Sequence, residues 1–216
     1  MIPVIFWGAT GQARVLRDAL PDGNMELVAL FDNREIASPF DDAPIFYGET
    51  GFFNWEQIYR DRRRVRACVA IGGAHGEDRL ARMHWLRNRG YPSLTVVHSH
   101  AFIAKDTLIG DGSQILAMSA VCTGVKLGEA TIVNTSASVD HDCIIDDGTH
   151  IAPGATLAGE VTVGKFAFIG AGATILPRIR IGAHAIIGAG AVVTRDVAAG
   201  ETVTGNPARP HHRNQS

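Results

Sequence analysis

An aliphatic residue recurs at every sixth position from Ile103 to Val193 without an interruption. An α-helix repeats about every 3.6 residues and a strand about every 2, whereas each face of a parallel β-helix uses about six residues. The aliphatic positions are Ile103, Ile109, Ile115, Val121, Leu127, Val133, Val139, Ile145, Ile151, Leu157, Val163, Ile169, Ile175, Ile181, Ile187 and Val193. Three faces form a coil of about eighteen residues, so the repeat predicts a prism of about five coils, each buried only by stacking on its neighbours.

The residue after each aliphatic is often small or turn-forming. This applies to Gly110, Cys122, Gly128, Asn134, Asp140, Asp146, Ala152, Ala158, Gly164, Gly170, Gly182 and Gly188. A narrow prism needs tight corners, and such residues suit them. We therefore expect the residue directly after each aliphatic to form the corner.

The chain before the repeat has the pattern of a small parallel α/β domain. An apolar run at 2–7 ends in GATG and precedes an amphipathic helix, and buried strands follow at 25–33 and 65–73, with a helix at 76–89. We expect residues 34–64 to form a loop and a short helix, and the arginines at 62–64 to be a solvated helix end. These patterns predict a Rossmann-like domain of three or four strands at 1–98, and a β-helix domain with a C-terminal tail at 99–216.

A candidate ligand site lies beyond the carboxyl ends of the predicted parallel strands, where Gly8, Thr10, Gly11, Asp32 and Gly72 fall. A nucleotide phosphate can rest on the amides that begin the first helix. The turn GATGQA has two glycines where the dinucleotide fingerprint has three, so the motif alone is weak. The region is short, with three or four strands, which suits a mononucleotide or a nucleotide sugar better than a dinucleotide. Two alternatives stay open: the turn serves only to reverse the chain, and Asp32 is a solvated strand end rather than a ribose or base contact.

The composition excludes several classes of partner. The net charge is −2 and the pI is about 6.5, so there is no basic excess to attract nucleic acid or a membrane surface. No apolar run approaches about eighteen residues, and no basic segment precedes the first apolar run, so we expect a cytoplasmic protein. Three cysteines without paired spacing predict buried thiols rather than disulfides or a cysteine-rich zinc site.

The register of the repeat also predicts chemistry, because residues eighteen apart stack above one another. His141 lies one coil below Gly159 and projects outward near a corner, between Asp140 and Asp142. A neutral imidazole beside a carboxylate is a suitable general base. A second column of small residues, Pro153, Ala171 and Ala189, predicts the wall of a narrow channel. A surface histidine without a role, and a zinc site using His141, His150 and His184, remain alternatives.

With the unbroken hexapeptides, the motif VDHD and the closing TVTGNPARP, the chain resembles the nucleotide-sugar N-acetyltransferases of the sialic-acid O-acetyltransferase superfamily. The resemblance covers essentially the whole chain. It implies a Rossmann-like domain for the nucleotide sugar and a left-handed parallel β-helix that binds acetyl-CoA between subunits of a homotrimer, with no metal. It further implies acetylation of the 4-amino group of a 4-amino-4,6-dideoxy sugar during lipopolysaccharide O-antigen biosynthesis.

The resemblance also implies residue roles. His141 matches the catalytic base and Asp142 the acid that raises its basicity. The positions matching the acetyl-CoA site are His150, near the acetyl group, then Gly159, Ala171 and Ala189 along the channel, with Arg209 a candidate for the CoA phosphates. The positions matching substrate contacts are Thr10, Gly11, Gln12, Asp32 and Gly72, beside Gly8 of the turn. Several relatives have GASGHG where this chain has GATGQA, so Gln12 replaces a histidine and the bound sugar or nucleotide can differ.

The expected reaction is direct attack of the amine on the thioester, with a backbone amide near Gly159 stabilising the oxyanion and no covalent intermediate on Cys143. Three other functions fit the same features. They are a sugar O-acetyltransferase with the same histidine base, a zinc-dependent hydratase on the same fold, and a sensor that binds nucleotide sugars without turnover.

Overall fold

The computed structural model describes residues 1–21, 23–59 and 64–211. Two of the three arginines predicted to form a solvated helix end, Arg62 and Arg63, lie outside these residues. Within the described ranges, no helix is both long enough and apolar enough to cross a membrane.

The first part of the chain is a parallel sheet of four strands in the order β3-β2-β1-β4. Its elements are β1 (Ile2–Trp7), α1 (Gly11–Asp18), β2 (Met25–Asp32), β3 (Ile45–Tyr47), α2 (Gly48–Ile58), β4 (Arg66–Val69) and α3 (Gly76–Asn88). Alternate residues of a strand face opposite sides of the sheet. Val4 and Phe6 therefore pack with α1, whereas Ile5 and Trp7 pack with α2 and α3. The carboxyl ends of β1, β2 and β4 lie along one edge of this Rossmann-like domain.

The sequence pattern misses β3, which lies inside the segment expected to hold only a loop and a short helix. The helix is present as α2, but β3 pairs with β2 at the edge of the sheet. It has three residues, of which two are half-buried and Tyr47 is exposed. A strand this short gives no alternation that a sequence window detects, so pairing with β2 decides it.

The rest of the chain is a triangular prism with three faces. The five-strand face contains Leu108–Ile109, Lys126–Leu127, Ile144–Ile145, Thr162–Val163 and Arg180–Ile181. The eight-strand face contains Val96–Val97, Gln114–Ile115, Ile132–Val133, His150–Ile151, Phe168–Ile169, Ile186–Ile187, Thr202–Thr204 and Arg209–Pro210. The six-strand face contains Phe102–Ile103, Ala120–Val121, Ser138–Val139, Thr156–Leu157, Thr174–Ile175 and Val192–Val193.

The predicted aliphatic row fills the inside of this prism. The second residue of each strand from Phe102–Ile103 to Val192–Val193 points inward, and every member of the row from Ile115 to Val193 is buried. Ile103 and Ile109 are partly buried at the first coil, where only one neighbouring coil covers them. The predicted fold class, a Rossmann-like α/β domain followed by a left-handed parallel β-helix, is confirmed.

The corners differ from the expectation in one respect. Every sixth residue from Gly112 to Gly190 has a left-handed backbone, with φ between +53° and +72°, and it lies three positions after the aliphatic rather than one. The small residue directly after the aliphatic is required for another reason, the close approach of the next coil. A Cβ at Gly164 would lie 2.7 Å from the backbone nitrogen of Ala183 in the next coil, so close stacking of coils excludes a side chain there.

The α/β domain packs on the eight-strand face and covers side chains that point outward from the prism. Gln114, Ile132 and His150 each begin a strand of that face, and all three are buried. Leu116 and Ile132 join the apolar cluster that contains α1. The face itself starts before residue 99, because Val96–Val97 pairs with Gln114–Ile115.

Arg79 of α3 ties the two domains together with a guanidinium that is fully buried. It donates to the carbonyl oxygens of Ala130 (2.8 Å) and Gly148 (2.7 Å) on the prism, and of Ile71 (2.9 Å) in its own domain. Burial lowers the pKa of Arg79 to about 10, so it is charged at neutral pH. Among the residues that the structure describes, the partners of its charge are peptide carbonyls and not a carboxylate.

Candidate active site

A cleft of about 910 Å³ opens at the carboxyl ends of β1, β2 and β4. It is lined by all six predicted substrate residues, Gly8, Thr10, Gly11, Gln12, Asp32 and Gly72. Helix α1 begins here with no acidic residue in its first turn and no side-chain cap from Thr10. Within the described chain the N–H groups of Gly11 and Gln12 have no acceptor. They are therefore open to an anionic group at the positive end of the helix.

Asp32 ends β2 with a buried carboxylate that is already fully engaged. Its Oδ2 accepts from the N–H of Ala9 (3.0 Å) and from Nη2 of Arg34 (3.0 Å). Its Oδ1 accepts from the N–H of Arg34 (3.0 Å) and its Nε (2.9 Å). Burial acts to raise the pKa of Asp32, but the hydrogen bonds from Arg34 and Ala9 outweigh it and hold the pKa below its ordinary value. A carboxylate has about four acceptor positions, so a ligand hydroxyl has to displace one of these donors.

Ten further residues line the cleft that the sequence pattern did not single out, and two arginines and two tryptophans are among them: Trp7, Asn33, Arg34, Ala70, Ile71, His75, Asp78, Ala81, Arg82 and Trp85. The guanidinium of Arg34 is held by Asp32 and is otherwise largely exposed. That of Arg82 stacks over the rings of Trp7, at 4.0 Å from the centroid, and Trp85, at 4.7 Å, and its Nη1 donates to Oε1 of Glu49 (2.9 Å). Two guanidinium groups in one cleft with open helix amides suit a phosphate-containing ligand, which has to compete for them with the carboxylates of Asp32 and Glu49.

His141 lies at the corner between the six-strand and five-strand faces and is exposed, as the register predicts. Its Nδ1 is 2.9 Å from Oδ2 of Asp142, and its backbone N–H donates to Oδ1 of Asp140. The hydrogen bond to Asp142, with the added charges of Asp140 and Glu160, raises the pKa of His141 above its ordinary value despite some desolvation. Because a carboxylate only accepts, Nδ1 carries the proton and Nε2 is left with a free lone pair.

Gly159 stacks one coil above His141, which confirms the predicted column. The N–H of Glu160 donates to the carbonyl of His141 (2.9 Å), and a Cβ built on Gly159 would overlap the imidazole at Nε2. Among the described residues no acceptor takes the N–H of Gly159. At His141 the equivalent N–H is taken by Asp140. The column therefore puts a base and a free backbone donor side by side.

Both ring nitrogens of His150 are hydrogen-bonded within the chain. It is 5% exposed, its Nδ1 is 3.1 Å from the carbonyl oxygen of Gly73, and its Nε2 is 3.0 Å from Nδ2 of Asn134. Burial, together with the nearby charge of Arg79, lowers the pKa of His150 to about 4. The ring is neutral, donates to Gly73 and accepts from Asn134, so both nitrogens are used within the chain. Asn134 had no distinguishing signal in the sequence.

The two predicted columns run along different corners of the prism. Ala171 and Ala189 are exposed between the eight-strand and six-strand faces, where the N–H of Gly190 donates to the carbonyl of Ala171 (2.8 Å). The column of His141 and Gly159 lies at the next corner along the chain. One copy of the chain therefore brings His141 together with Gly159 of the predicted acetyl-CoA channel but not with Ala171 and Ala189, and the roles of these residues stay predictions.

The C-terminal residues form a hairpin rather than a loose tail up to residue 211. Arg209–Pro210 pairs antiparallel with Thr202–Thr204. Arg209 is exposed there, and its Nη1 donates to the carbonyl of its neighbour Ala208. A role with CoA phosphates remains a prediction.

Two further observations, on metal ligands and on Cys143, bear on the possible chemistry. Over the described ranges, no set of three or more His, Cys, Asp or Glu side chains is arranged to share a metal ion. Cys143 is buried, its Sγ donates to the carbonyl of Ala158 (3.2 Å), and burial raises its pKa to about 11. Such a thiol is a poor nucleophile near neutral pH.

The repeat matches a known family model, "Bacterial transferase hexapeptide (six repeats)", over residues 160–195. A curated relative, a UDP-3-O-acylglucosamine N-acyltransferase from Caulobacter sp. (strain K31), is 34% identical over 108 residues, which is 50% of this chain. The matched part is only 26% of that relative, so the chain spans about a quarter of its length.

Solved structures match nearly the whole chain. A histidine-to-asparagine variant of perosamine N-acetyltransferase from Caulobacter crescentus, in complex with CoA and GDP-perosamine, has a TM-score of 0.88 and 29% identity over 97% of both chains. The acetyltransferase domain of PglB from Neisseria gonorrhoeae FA1090, in complex with acetyl coenzyme A, has a TM-score of 0.87 and 29% identity over 97% of this chain and 99% of that chain. WeeI from Acinetobacter baumannii AYE has a TM-score of 0.82 and 28% identity over 96% of this chain and 99% of that chain.

Proposed function

We propose that the protein is a hexapeptide-repeat acyltransferase that transfers an acetyl group from acetyl-CoA to a nucleotide sugar. The acceptor is the 4-amino group of a 4-amino-4,6-dideoxy sugar, and the proposed substrate is GDP-perosamine. The observation that carries the proposal is the His141–Asp142 pair beside Gly159, a base with a free lone pair next to an unused backbone donor. The matched complexes with CoA and GDP-perosamine support the choice of ligands.

The chemistry of this pair is a direct transfer. The amine nitrogen attacks the thioester carbonyl carbon while Nε2 of His141 accepts the amine proton, a task worth about 10²–10⁴-fold. The carbonyl electrons move to oxygen, where the N–H of Gly159 donates to the oxyanion. When the C–S bond breaks, the imidazolium returns the proton to the CoA thiolate, and Asp142 stabilises the imidazolium throughout. No step passes through Cys143, whose thiol stays protonated.

The cleft of the α/β domain supports a phosphate-linked acceptor. Its anion-binding groups are the open amides of Gly11 and Gln12 and the guanidinium groups of Arg34 and Arg82. The volume of about 910 Å³ lies within the range of about 300–1,000 Å³ that is usual for small-molecule sites. A sugar nucleotide fits this combination of size and charge.

A homotrimer completes the site in this proposal, because one chain keeps its base and its small-residue column at separate corners. Apolar side chains are exposed on the prism, including Leu108 (61%) and Ile144 (49%) on the five-strand face. In the proposed trimer these side chains pack against another copy, and the corner of His141 lies next to the corner of Ala171 and Ala189 of that copy. Mixing inactive His141→Asn chains with inactive Ala189→Trp chains is then expected to restore turnover. In a mixed trimer, some sites combine the intact His141 of one chain with the intact Ala189 of its neighbour.

The decisive experiment measures thiol release from acetyl-CoA by the full chain with GDP-, UDP- and dTDP-linked 4-amino-4,6-dideoxy sugars and with hydroxyl-bearing analogues. We expect turnover with GDP-perosamine that falls at least about 100-fold in His141→Asn. His100→Asn, at an exposed histidine away from the site, is the matched control and keeps full activity.

Turnover of hydroxyl sugars alone would replace N-acetylation by O-acetylation. Full activity of His141→Asn would keep the reaction and remove the proposed base. No turnover with any acceptor, together with tight nucleotide-sugar binding, would identify a sensor instead of an enzyme.

A further inference from the structure

A pair of glutamine side chains connects the substrate cleft to the prism. Gln12, in the first turn of α1, lines the cleft, and its Nε2 donates to Oε1 of Gln114 (2.6 Å). Gln114 is fully buried on the eight-strand face, and its Nε2 donates to the carbonyl oxygen of Val69 (2.8 Å). The three groups form a chain of hydrogen bonds from the end of β4, through the prism, to the cleft.

This chain of bonds fixes which way both amides point. The carbonyl oxygen of Val69 can only accept, so the NH₂ group of Gln114 must face it. The Oε1 of Gln114 then faces Gln12 and requires a donor, so the NH₂ group of Gln12 must face Gln114. Turning either amide over would bring two acceptors or two donors together and leave a buried polar group unpaired, which is strongly unfavourable.

The carbonyl oxygen of Gln12 is consequently left on the cleft side. Over the described part of the chain no donor reaches it. It lies against Gly72, another lining residue, where an added Cβ would be 3.2 Å from Oε1. Gly72 thus leaves open the approach to an atom that only accepts hydrogen bonds.

We propose that Gln114 is a positioning residue that holds the Gln12 oxygen as a fixed acceptor for a hydrogen-bond donor on the sugar of the nucleotide sugar. The inference rests on the proposed function for the identity of the ligand. A preorganised acceptor discriminates strongly, because a sugar without the matching donor leaves the oxygen unpaired. Gln12 contacts the sugar, whereas Gln114 acts only through Gln12.

The test is a double-mutant cycle on binding, measured by calorimetry on the full chain without acetyl-CoA. The variants are Gln12→Leu, Gln114→Met and the double variant, and the probes are GDP-perosamine, GDP-mannose and GDP. We expect each single variant to weaken GDP-perosamine about 10-fold or more, the double variant to weaken it no further, and GDP to bind as in wild type. Gln57→Leu, at an exposed glutamine of α2, is the matched control.

GDP-mannose narrows the choice of donor. A loss confined to GDP-perosamine assigns the amine, and a loss shared with GDP-mannose assigns a donor position that both sugars have, either a ring hydroxyl or the group at C4; both results support the proposal. In turnover assays the loss appears in KM, with kcat little changed. If Gln114→Met does not fold, Gly72→Ala replaces it, because the added methyl crowds Oε1 and leaves both amides in place.

Additive losses, an unchanged affinity in Gln114→Met, or an equal loss for GDP itself would overturn the proposal. Wild-type binding with the expected coupling but without any acetyl transfer would refute the proposed reaction and leave this inference standing. Failure of the wild type to bind any of the three probes would refute both.

Discussion

The two domains obtain a core in different ways. In the prism, the aliphatic residue of each hexapeptide and, in most hexapeptides, the apolar residue two positions before it fill the interior, and each coil is covered by the coils on either side. In the α/β domain the core has no repeat and one side of the sheet is aromatic, with Trp7, Phe31, Phe52, Trp55 and Trp85 in mutual ring contact. The stability of the prism is therefore spread along the chain, whereas that of the α/β domain is concentrated in one cluster.

The difference extends to the chemistry. In the prism the inward-pointing aliphatic position is kept in every hexapeptide, whereas the outward and corner positions differ from coil to coil. A reactive residue such as His141 therefore lies at a position that the packing of the interior does not constrain. In the α/β domain the candidate ligand groups lie at strand ends, where the parallel sheet brings distant segments together. The two regions meet at Arg79, Gln114 and His150, and these contacts allow the comparison to be tested.

The largest expected effect is on the coupling of the two domains. Arg79→Leu leaves the carbonyls of Ile71, Ala130 and Gly148 without their donor, and we expect the free energy of unfolding to fall by about 3–5 kcal/mol. All three tryptophans lie before residue 99, so fluorescence follows the α/β domain, while far-ultraviolet circular dichroism also follows the prism. In urea the two signals should separate in this variant and coincide in wild type. Arg79→Lys keeps the charge, and its free energy of unfolding should fall less. If the fluorescence and circular dichroism transitions still coincided in Arg79→Leu, contacts other than those of Arg79 would couple the two domains.

The second effect is a dependence of stability on pH that comes from His150. Its pKa is about 4 in the folded chain, against about 6.5 for a histidine exposed to water in the unfolded chain. Between these values the unfolded state binds more protons, so stability is complete above about pH 6.5 and falls as the pH drops toward 4, by about 3 kcal/mol. In His150→Gln this component is absent, and urea midpoints at pH 7.5 and 5 should differ less than in wild type. His100→Gln should behave as wild type; an unchanged slope in His150→Gln would contradict the assignment.

The third effect is on catalysis at the corner of the prism. Gly159→Ala puts a methyl group where the imidazole of His141 lies, and the exposed ring can turn away. We expect kcat to fall about 100-fold, equivalent to about 2.7 kcal/mol, while the thermal midpoint changes little. Adding His141→Asn should cause little further loss, because both changes remove the same base. If the fold-losses in kcat of the two single variants multiplied in the double variant, the two residues would act independently, which would contradict this prediction.

The smallest effect concerns the basicity of His141. Activity requires the neutral ring, so kcat/KM falls as the pH drops through the pKa of His141, which Asp142 raises above 6.5. In Asp142→Asn the acidic limb of the pH profile should move down toward 6.5, and kcat should fall about 10-fold as the ring loses its orientation. Asp140→Asn should move the limb less, since Asp140 acts on the ring only through space. If the acidic limb of Asp142→Asn stayed where it is in wild type, Asp142 would not be the main cause of the raised pKa of His141.

Much of the fold followed from the sequence because it is encoded by fixed spacing. A period of six determines which residues point inward, and three periods determine which residues stack, so the pairing of His141 with Gly159 required no tertiary information. The cleft residues followed from the rule that parallel strands end at one edge, since Gly8, Asp32 and Gly72 each follow or end a buried strand. The corner position was wrong because a small residue serves close stacking as well as a left-handed turn.

The remaining features depended on contacts between segments that have no fixed separation in the chain. Docking of the α/β domain on one face buries His150 and Gln114, which the repeat alone leaves as outward residues. Arg34 occupies the carboxylate of Asp32, and β3 exists by pairing with β2. The sequence alone determined the periodic and strand-end positions, because local geometry sets them. Only the tertiary structure decided which polar groups are free and which are used, because that depends on how the two domains meet.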